Sequence, residues 1–90
     1  MIPFKINLGS RDKLENGLHI ISGGTKIYIK NGFKHRYNGP AEIRADGYQA
    51  WYKNGLKHRD NNKPAVINSD GTEEFWINGK QIKSNIKKEK

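Results

Sequence analysis

Basic and aromatic side chains alternate in this sequence at a spacing that could bind an anion or a nucleotide. The dipeptides His35-Arg36 and His58-Arg59 recur at equivalent positions of a sequence repeat, and Trp51 lies just before the second. A guanidinium makes forked hydrogen bonds to carboxylate or phosphate, and an aromatic ring stacks on a base. The candidate binding residues each carry one of these chemistries: Lys26, Tyr28, Lys30, His35, Arg36, Arg44, Trp51, Lys53, His58, Arg59 and Phe75.

Catalytic chemistry has much weaker support in the same residues. Two histidines one repeat apart lack the further ligands that a metal site needs. No serine or carboxylate pair has the spacing of a nucleophile or an acid and base, and no glycine-rich phosphate loop precedes a helix. The sequence therefore predicts a protein that is not an enzyme and holds neither a metal nor a cofactor.

Repeated turns must position the candidate residues. The dipeptide Asn-Gly occurs at 31–32, 54–55 and 78–79, each time between β-branched or aromatic residues. Asn-Gly favours two-residue type I′ hairpin turns. Asp46-Gly47 and Asp70-Gly71 carry the same signal half a repeat later. We therefore expect an all-β fold, an antiparallel meander of repeated hairpins that forms one single-layer sheet.

Two-residue turns would also fix which side chains share a face. Trp51 then lies opposite His58, Ala45 opposite Tyr48, and Ile43 opposite Ala50. The face predicted to form the core comprises Ile27, Ile29, Ala41, Ile43, Ala45, Tyr48, Ala50, Tyr52, Ala65, Ile67 and Trp76. Apart from Arg36 and Arg59, the candidate rings and cations are expected on the opposite face, together with Phe33.

Two other interpretations of these residues remain open. Tyr28, Trp51 and Phe75 stand at equivalent repeat positions, so they could form a stabilising cross-strand ladder or a homodimer interface. Arg36 and Arg59 could pair with acids such as Asp46 or Asp60, while the histidines pack on the rings.

The stretch Trp51-Tyr-Lys-Asn-Gly-Leu-Lys-His58, followed by a loop and a strand that ends in Asp-Gly, resembles the MORN repeat. The resemblance covers about two and a half copies over residues 24–82. It implies a curled single-layer sheet with a binding or scaffolding role. The family usually has glycine after the histidine, whereas this chain has Arg36 and Arg59, so we interpret it as a variant of the kind found in bacterial and phage proteins.

Composition bounds the size and environment of the protein. Ninety residues without cysteine make one small domain with a thin core, and the lack of cysteine fits a reducing cytoplasm. We expect residues 1–23 to form a capping strand and turn, and residues 83–90 a flexible basic tail. The first residues show no secretion signal, and no stretch is long enough to span a membrane.

The formal net charge of +8 and the isoelectric point near 9.8 favour polyanionic partners, although a charge of this size also serves solubility. Our leading hypothesis is a small basic inhibitor or adaptor, of the kind that phages and mobile elements use against host defence, which docks on an acidic protein or a nucleoprotein. The alternative is direct binding of nucleic acid or a nucleotide through the aromatic and basic face. Docking on an anionic membrane surface has the least support.

Overall fold

The computed structural model of the chain describes residues 15–85, and this part of the chain is all-β. A single turn of 3₁₀ helix, Ser22–Gly24, follows the first strand. The strands are β1 (Gly17–Ile20), β2 (Lys26–Lys30), β3 (Phe33–Lys34), β4 (Glu42–Ile43), β5 (Gln49–Ala50), β6 (Tyr52–Lys53), β7 (Leu56–Lys57), β8 (Val66–Ile67), β9 (Glu73–Ile77) and β10 (Lys80–Asn85).

The strands form an open antiparallel meander, as the sequence predicts. The main sheet has the order β1-β2-β4-β5-β8-β9-β10, with β3 paired to β2, and β6 and β7 form a separate two-stranded ribbon. The arrangement is elongated, with extents of 49 × 27 × 21 Å. Such a narrow sheet leaves much of its surface open to partners.

The Asn-Gly turns have the predicted geometry. Asn31, Asn54 and Asn78 have φ values of 54°, 51° and 49°, and the glycine that follows each of them is also at positive φ. Positive φ at both central positions is the type I′ turn. The pairing of Tyr52 with Lys57 places Trp51 opposite His58, as expected, and His58 N–H donates to the Trp51 carbonyl at 3.0 Å.

The prediction of two-residue turns at Asp-Gly is wrong. Arg44 N–H donates to the carbonyl of Tyr48, and Gly47 N–H donates back to the carbonyl of Arg44, so three residues form the loop. Gly47 has φ +98°, and Asp46 accepts a hydrogen bond from Tyr48 N–H. This is the three-residue hairpin in which a type I turn is followed by a left-handed glycine. The aspartate side chain bonds to backbone two residues ahead instead of taking positive φ itself.

The extra loop residue shifts the register on that side of each repeat. Ile43 lies opposite Gln49, and Glu42 lies opposite Ala50, so the predicted pairs of Ile43 with Ala50 and of Ala45 with Tyr48 do not form. Because side chains alternate, a shift of one residue moves each of them to the other face. Glu42 consequently lies on the buried face and is only 4% exposed.

The core is thin and differs in part from the predicted set. Of the predicted residues, those fully buried are Ile27, Ile29, Ala41, Ala50 and Ala65. Ala45 is exposed, and the others are half-buried. Val66 and Phe75 are buried although the sequence did not place them in the core.

Both ends of the described chain pair with the repeats. Strand β1 pairs with β2, where His19 lies opposite Ile27. Strand β10 continues to Asn85, so backbone pairing extends into the segment expected to be a flexible tail from residue 83. The expected strand around Phe4 and the last residues of the tail lie outside the described residues. No helix in residues 15–85 has the length and hydropathy that crossing a membrane requires.

Candidate binding groove

Each complete repeat holds its arginine in the same way. The Arg36 guanidinium lies 3.8 Å from the centroid of the Tyr28 ring, and Arg59 lies 3.9 Å from the centroid of the Trp51 ring. Each guanidinium also donates to the carbonyl of the proline that precedes the next strand of the main sheet, Pro40 at 3.1 Å and Pro64 at 3.0 Å. The two arginines therefore stack on rings and cap backbone carbonyls instead of pairing with Asp46 or Asp60.

The incomplete third repeat uses the same geometry with a different cation. Lys83 stands at the position that corresponds to Arg59, and its ammonium group lies 4.6 Å from the centroid of the Phe75 ring. A bulge between Gln81 and Lys83 accompanies this placement of the cation over the ring. Alternation of rings and cations is thus partly structural, because each cation covers one face of its ring.

The histidines join each repeat to the next. Asn54 N–H donates to His35 Nδ1 at 2.9 Å, and Asn78 N–H donates to His58 Nδ1 at 3.0 Å. A nitrogen that accepts a backbone N–H carries no hydrogen, so in both neutral rings the hydrogen is on Nε2. Each histidine therefore presents one N–H donor away from the turn that it anchors.

The two Nε2–H donors have different environments. His58 Nε2 lies 2.8 Å from Asp60 Oδ1 and donates to that carboxylate. His35 Nε2 is buried and has no hydrogen-bond partner among the described residues. The plane of the Tyr37 ring lies at 78° to that of the His35 ring, with 5.8 Å between centroids.

The electrostatics around His35 favour its neutral form. Burial lowers the pKa of His35, and the charges of Lys30 and Lys53 lower this pKa further. An added proton would also have to go to Nδ1, where it would face the Asn54 N–H. His35 is therefore a neutral donor in cationic surroundings.

A groove of about 560 Å³ lies between the first and second repeats, with His35 in its wall. Basic side chains dominate its lining, and Asp60 is the one acid among the described residues that line it. The residues that line the groove are Lys30, His35, Arg36, Tyr37, Asn38, Gly39, Trp51, Tyr52, Lys53, Asn54, His58, Arg59, Asp60, Asn61 and Lys63. We call this feature the inter-repeat groove.

Most of the predicted site residues meet in the inter-repeat groove. Those that line it are Lys30, His35, Arg36, Trp51, Lys53, His58 and Arg59. Lys26 and Tyr28 lie on the same side of β2 as Lys30 but do not line the groove, and Ile27 and Ile29 are buried on the other side.

Besides Lys26 and Tyr28, two predicted site residues do not line the groove. Arg44 bonds to Glu42 at 2.6 Å and stacks on Tyr48, so the register shift places it on the opposite face of the sheet from the groove. Phe75 is 6% exposed and cannot offer a free ring to a ligand. Sequence reasoning missed Tyr37 and Lys63, which follow the two His-Arg pairs and line the groove. It also missed the loop that contains Asn61. The only sign of the positive φ of Asn61 in the repeat pattern is one inserted residue.

Glu42 organises the opposite face. Its carboxylate accepts hydrogen bonds from Lys34 Nζ and Arg44 Nε, each at 2.6 Å. Burial alone would raise the pKa of Glu42, but these two hydrogen bonds and charges outweigh it, so the pKa lies below its usual value. Lys34 also lies 4.9 Å from the centroid of the Tyr52 ring, an arrangement repeated by Lys57 and Trp76 at 4.6 Å.

Within residues 15–85, no cluster of three or more histidine, aspartate or glutamate side chains is placed to hold a metal ion. Comparison with known proteins adds no further constraint on the groove: no family model, no curated protein and no solved structure matches the chain.

Proposed function

We propose that this protein is a non-enzymatic binding module that docks a carboxylate-rich surface of a protein partner into the inter-repeat groove. The observation that carries the proposal is the charge of the groove lining. Its cations are Lys30, Arg36, Lys53, Arg59 and Lys63. Asp60, the one acid in the described part of the lining, is already bonded to His58. A cleft lined by one sign of charge concentrates ligands of the opposite sign.

The contacts of the rings favour an acidic protein over nucleic acid. Binding of single strands depends on aromatic faces that are open to successive bases. Here Arg36 covers a face of the Tyr28 ring and Arg59 a face of the Trp51 ring, while Phe75 is buried. The cations of the groove remain available to contact a carboxylate, whereas these three rings do not form a row of open faces for bases.

The repeated contacts support the further inference that the chain is a variant of the MORN type with a curled sheet. Hairpin turns, stacked arginines and histidine links recur at equivalent positions of successive copies. In such an array each repeat contacts its neighbours and leaves an extended surface for a partner. A small basic module that binds a partner without catalysing a reaction would act as an inhibitor or adaptor.

Binding of two labelled probes tests the proposal directly. A ten-residue oligoglutamate represents an acidic protein segment, and a ten-nucleotide oligothymidylate represents single-stranded nucleic acid. Affinities for both are measured over a range of salt concentrations with the wild-type chain and two charge-matched double variants. One variant, Lys30→Glu with Lys53→Glu, changes the groove. The control, Lys26→Glu with Lys80→Glu, changes exposed lysines that do not line it.

We expect oligoglutamate to bind the wild-type chain. The groove variant should bind it at least about tenfold more weakly than the control variant, a difference of about 1.4 kcal/mol, because two cations of the lining become anions. Equal weakening in both variants would show that net charge alone attracts the probe and would overturn the groove. Tighter binding of oligothymidylate, with a steep log-linear salt dependence, would favour nucleic acid instead. Affinity capture from host lysate with and without nuclease would then identify the natural partner.

A further inference from the structure

The second repeat contains an internal example of a carboxylate bound at this site. Asp60 lies two residues after His58 and accepts the hydrogen of Nε2 at 2.8 Å. The His58 ring can present that hydrogen because Asn78 N–H occupies Nδ1. The protein thus shows how a histidine at this repeat position holds an aspartate.

The first repeat has the same donor but not the carboxylate. His35 is anchored through Nδ1 by Asn54 as His58 is by Asn78. At the position that corresponds to Asp60, the first repeat has Tyr37. Tyr37 is 89% exposed, its ring plane is nearly perpendicular to that of His35, and His35 Nε2–H has no hydrogen-bond acceptor among the described residues.

A buried donor without an acceptor is costly, and the cost disappears when a ligand supplies one. The surroundings select an anionic acceptor, because Lys30, Arg36 and Lys53 line the groove beside His35. Burial and then the charges of the two lysines lower the pKa of His35, so the ring faces the groove as a neutral donor. The exposed Tyr37 side chain can rotate away from the His35 ring at little cost and leave the donor open to the groove.

We propose that His35 Nε2–H binds a side-chain carboxylate of the partner, an aspartate or glutamate that takes the position Asp60 holds against His58. This inference rests on the proposed function and specifies one contact within it. Tyr37 acts as the cover of the site and as an exposed ring against which the partner segment lies. The groove cations supply general attraction, and the histidine supplies the directional contact.

Two reciprocal substitutions test the site without removing either histidine. Tyr37→Asp gives the first repeat its own carboxylate and should close the site. Asp60→Ala removes the internal carboxylate and should open a second site at His58. Ser69→Asp is the charge-matched control, because it adds the same negative charge at an exposed turn outside the groove.

The probe is again the ten-residue oligoglutamate, and the readouts are its affinity and the side-chain ¹⁵N and ¹H signals of the histidines. In the wild-type chain we expect the probe to move the Nε2–H signal of His35 downfield and leave that of His58 in place. Tyr37→Asp should produce the downfield signal without probe and weaken binding at least about tenfold relative to Ser69→Asp. In Asp60→Ala the probe should move both histidine signals.

The failures of this inference and of the proposed function are distinguishable. If the probe binds the groove but the His35 signal does not move, and Tyr37→Asp weakens binding no more than Ser69→Asp, the histidine site is wrong and the groove remains. If oligothymidylate moves the His35 signal and oligoglutamate does not, the site binds phosphate and the assignment to a carboxylate is wrong. If oligoglutamate shows no preference for the groove over the lysine control, both proposals fall.

Discussion

Replacing Glu42 by valine, the residue at the equivalent position of the second repeat, should distinguish the stability that comes from the ion cluster from the stability that comes from packing. Val66 is the counterpart of Glu42 in the second repeat: it pairs with Glu74 as Glu42 pairs with Ala50, and it is 1% exposed. The position therefore accepts valine in the same fold. Glu42→Val changes the charge and removes the acceptor of two hydrogen bonds, with little change in the shape required.

The magnitude follows from the two contacts that are lost. A hydrogen bond to a charged group contributes about 1.5 to 3 kcal/mol. The side chain of Lys34 is 21% exposed, so most of that range applies to it, whereas Arg44 is 49% exposed and solvent screening reduces its share to about 0.5 kcal/mol. Burial of the valine side chain offsets part of the loss. We expect Glu42→Val to lower the free energy of unfolding by about 1 to 3 kcal/mol.

The second repeat also indicates how little of the loss a change at Arg44 can restore. Arg44 corresponds to Asn68, which bonds Thr72 and Glu74 without an ion pair at Val66. The double variant Glu42→Val with Arg44→Asn should therefore recover no more than the Arg44 share, about 0.5 kcal/mol, because Lys34 stays without its carboxylate. The first repeat also has Tyr48 and Ala50 where Asn68 finds Thr72 and Glu74.

Urea unfolding at neutral and acidic pH measures both effects. The pKa of Glu42 is lowered in the folded state, so the stability it gives is present at neutral pH and is lost as pH falls below the usual carboxylate range. In Glu42→Val, the part of the acid-induced loss of stability that comes from protonation of Glu42 should be absent. A Glu42→Val variant with the wild-type urea midpoint and an unchanged acid dependence would refute the account of this cluster.

Three further outcomes are expected from urea unfolding. Arg59→Lys should cost about 1 kcal/mol, because an ammonium group cannot both cover the Trp51 ring and reach the proline carbonyl as the guanidinium does; an unchanged midpoint would contradict this. Gly47→Ala should lower the free energy of unfolding by about 1 to 2 kcal/mol from its φ of +98° alone, since an added Cβ meets no atom within 4 Å. Gly47→Asn should lower it less, because asparagine adopts positive φ more readily than alanine. Because the pKa of His35 is lowered, the wild type should lose stability as pH falls below the usual histidine pKa of about 6.5. His35→Gln should flatten that part of the plot of unfolding free energy against pH. Equal plots for the two proteins would contradict a contribution from His35.

The sequence predicts most of the fold because its strongest signals are local. Asn-Gly fixes a two-residue turn with little dependence on context. The sequence therefore predicts both the pairing of Trp51 with His58 and the antiparallel meander. Asp-Gly is less determinate, because the aspartate can bond to backbone ahead of it and build a three-residue loop. That one-residue difference moved Arg44 to the other face and brought Glu42 into the core.

The groove was predicted in composition but not in detail. Basic residues with aromatic neighbours were found from type and spacing alone, and most of them line it. Stacking of Arg36 on Tyr28 and of Arg59 on Trp51 depends on the path of the loop after each His-Arg pair, which a face assignment from alternation does not contain. The contrast between Tyr37 and Asp60 is visible in an alignment of the two repeats, but its meaning requires the tautomer that the backbone of the next repeat imposes.

The histidine links make this architecture extensible. Each ring is fixed by a backbone N–H of the following copy, so a unit is completed by its successor, and the last copy has Ile82 where the others have histidine. Duplicating residues 51–74 in tandem would thus give every junction between repeats both its histidine and the backbone N–H that the histidine accepts. The sheet would become one module longer. Stability would grow with each inserted module, as in a linear chain of nearest neighbours. Each insertion would also add another cleft of the same kind, with its own aspartate already bonded to the neighbouring histidine.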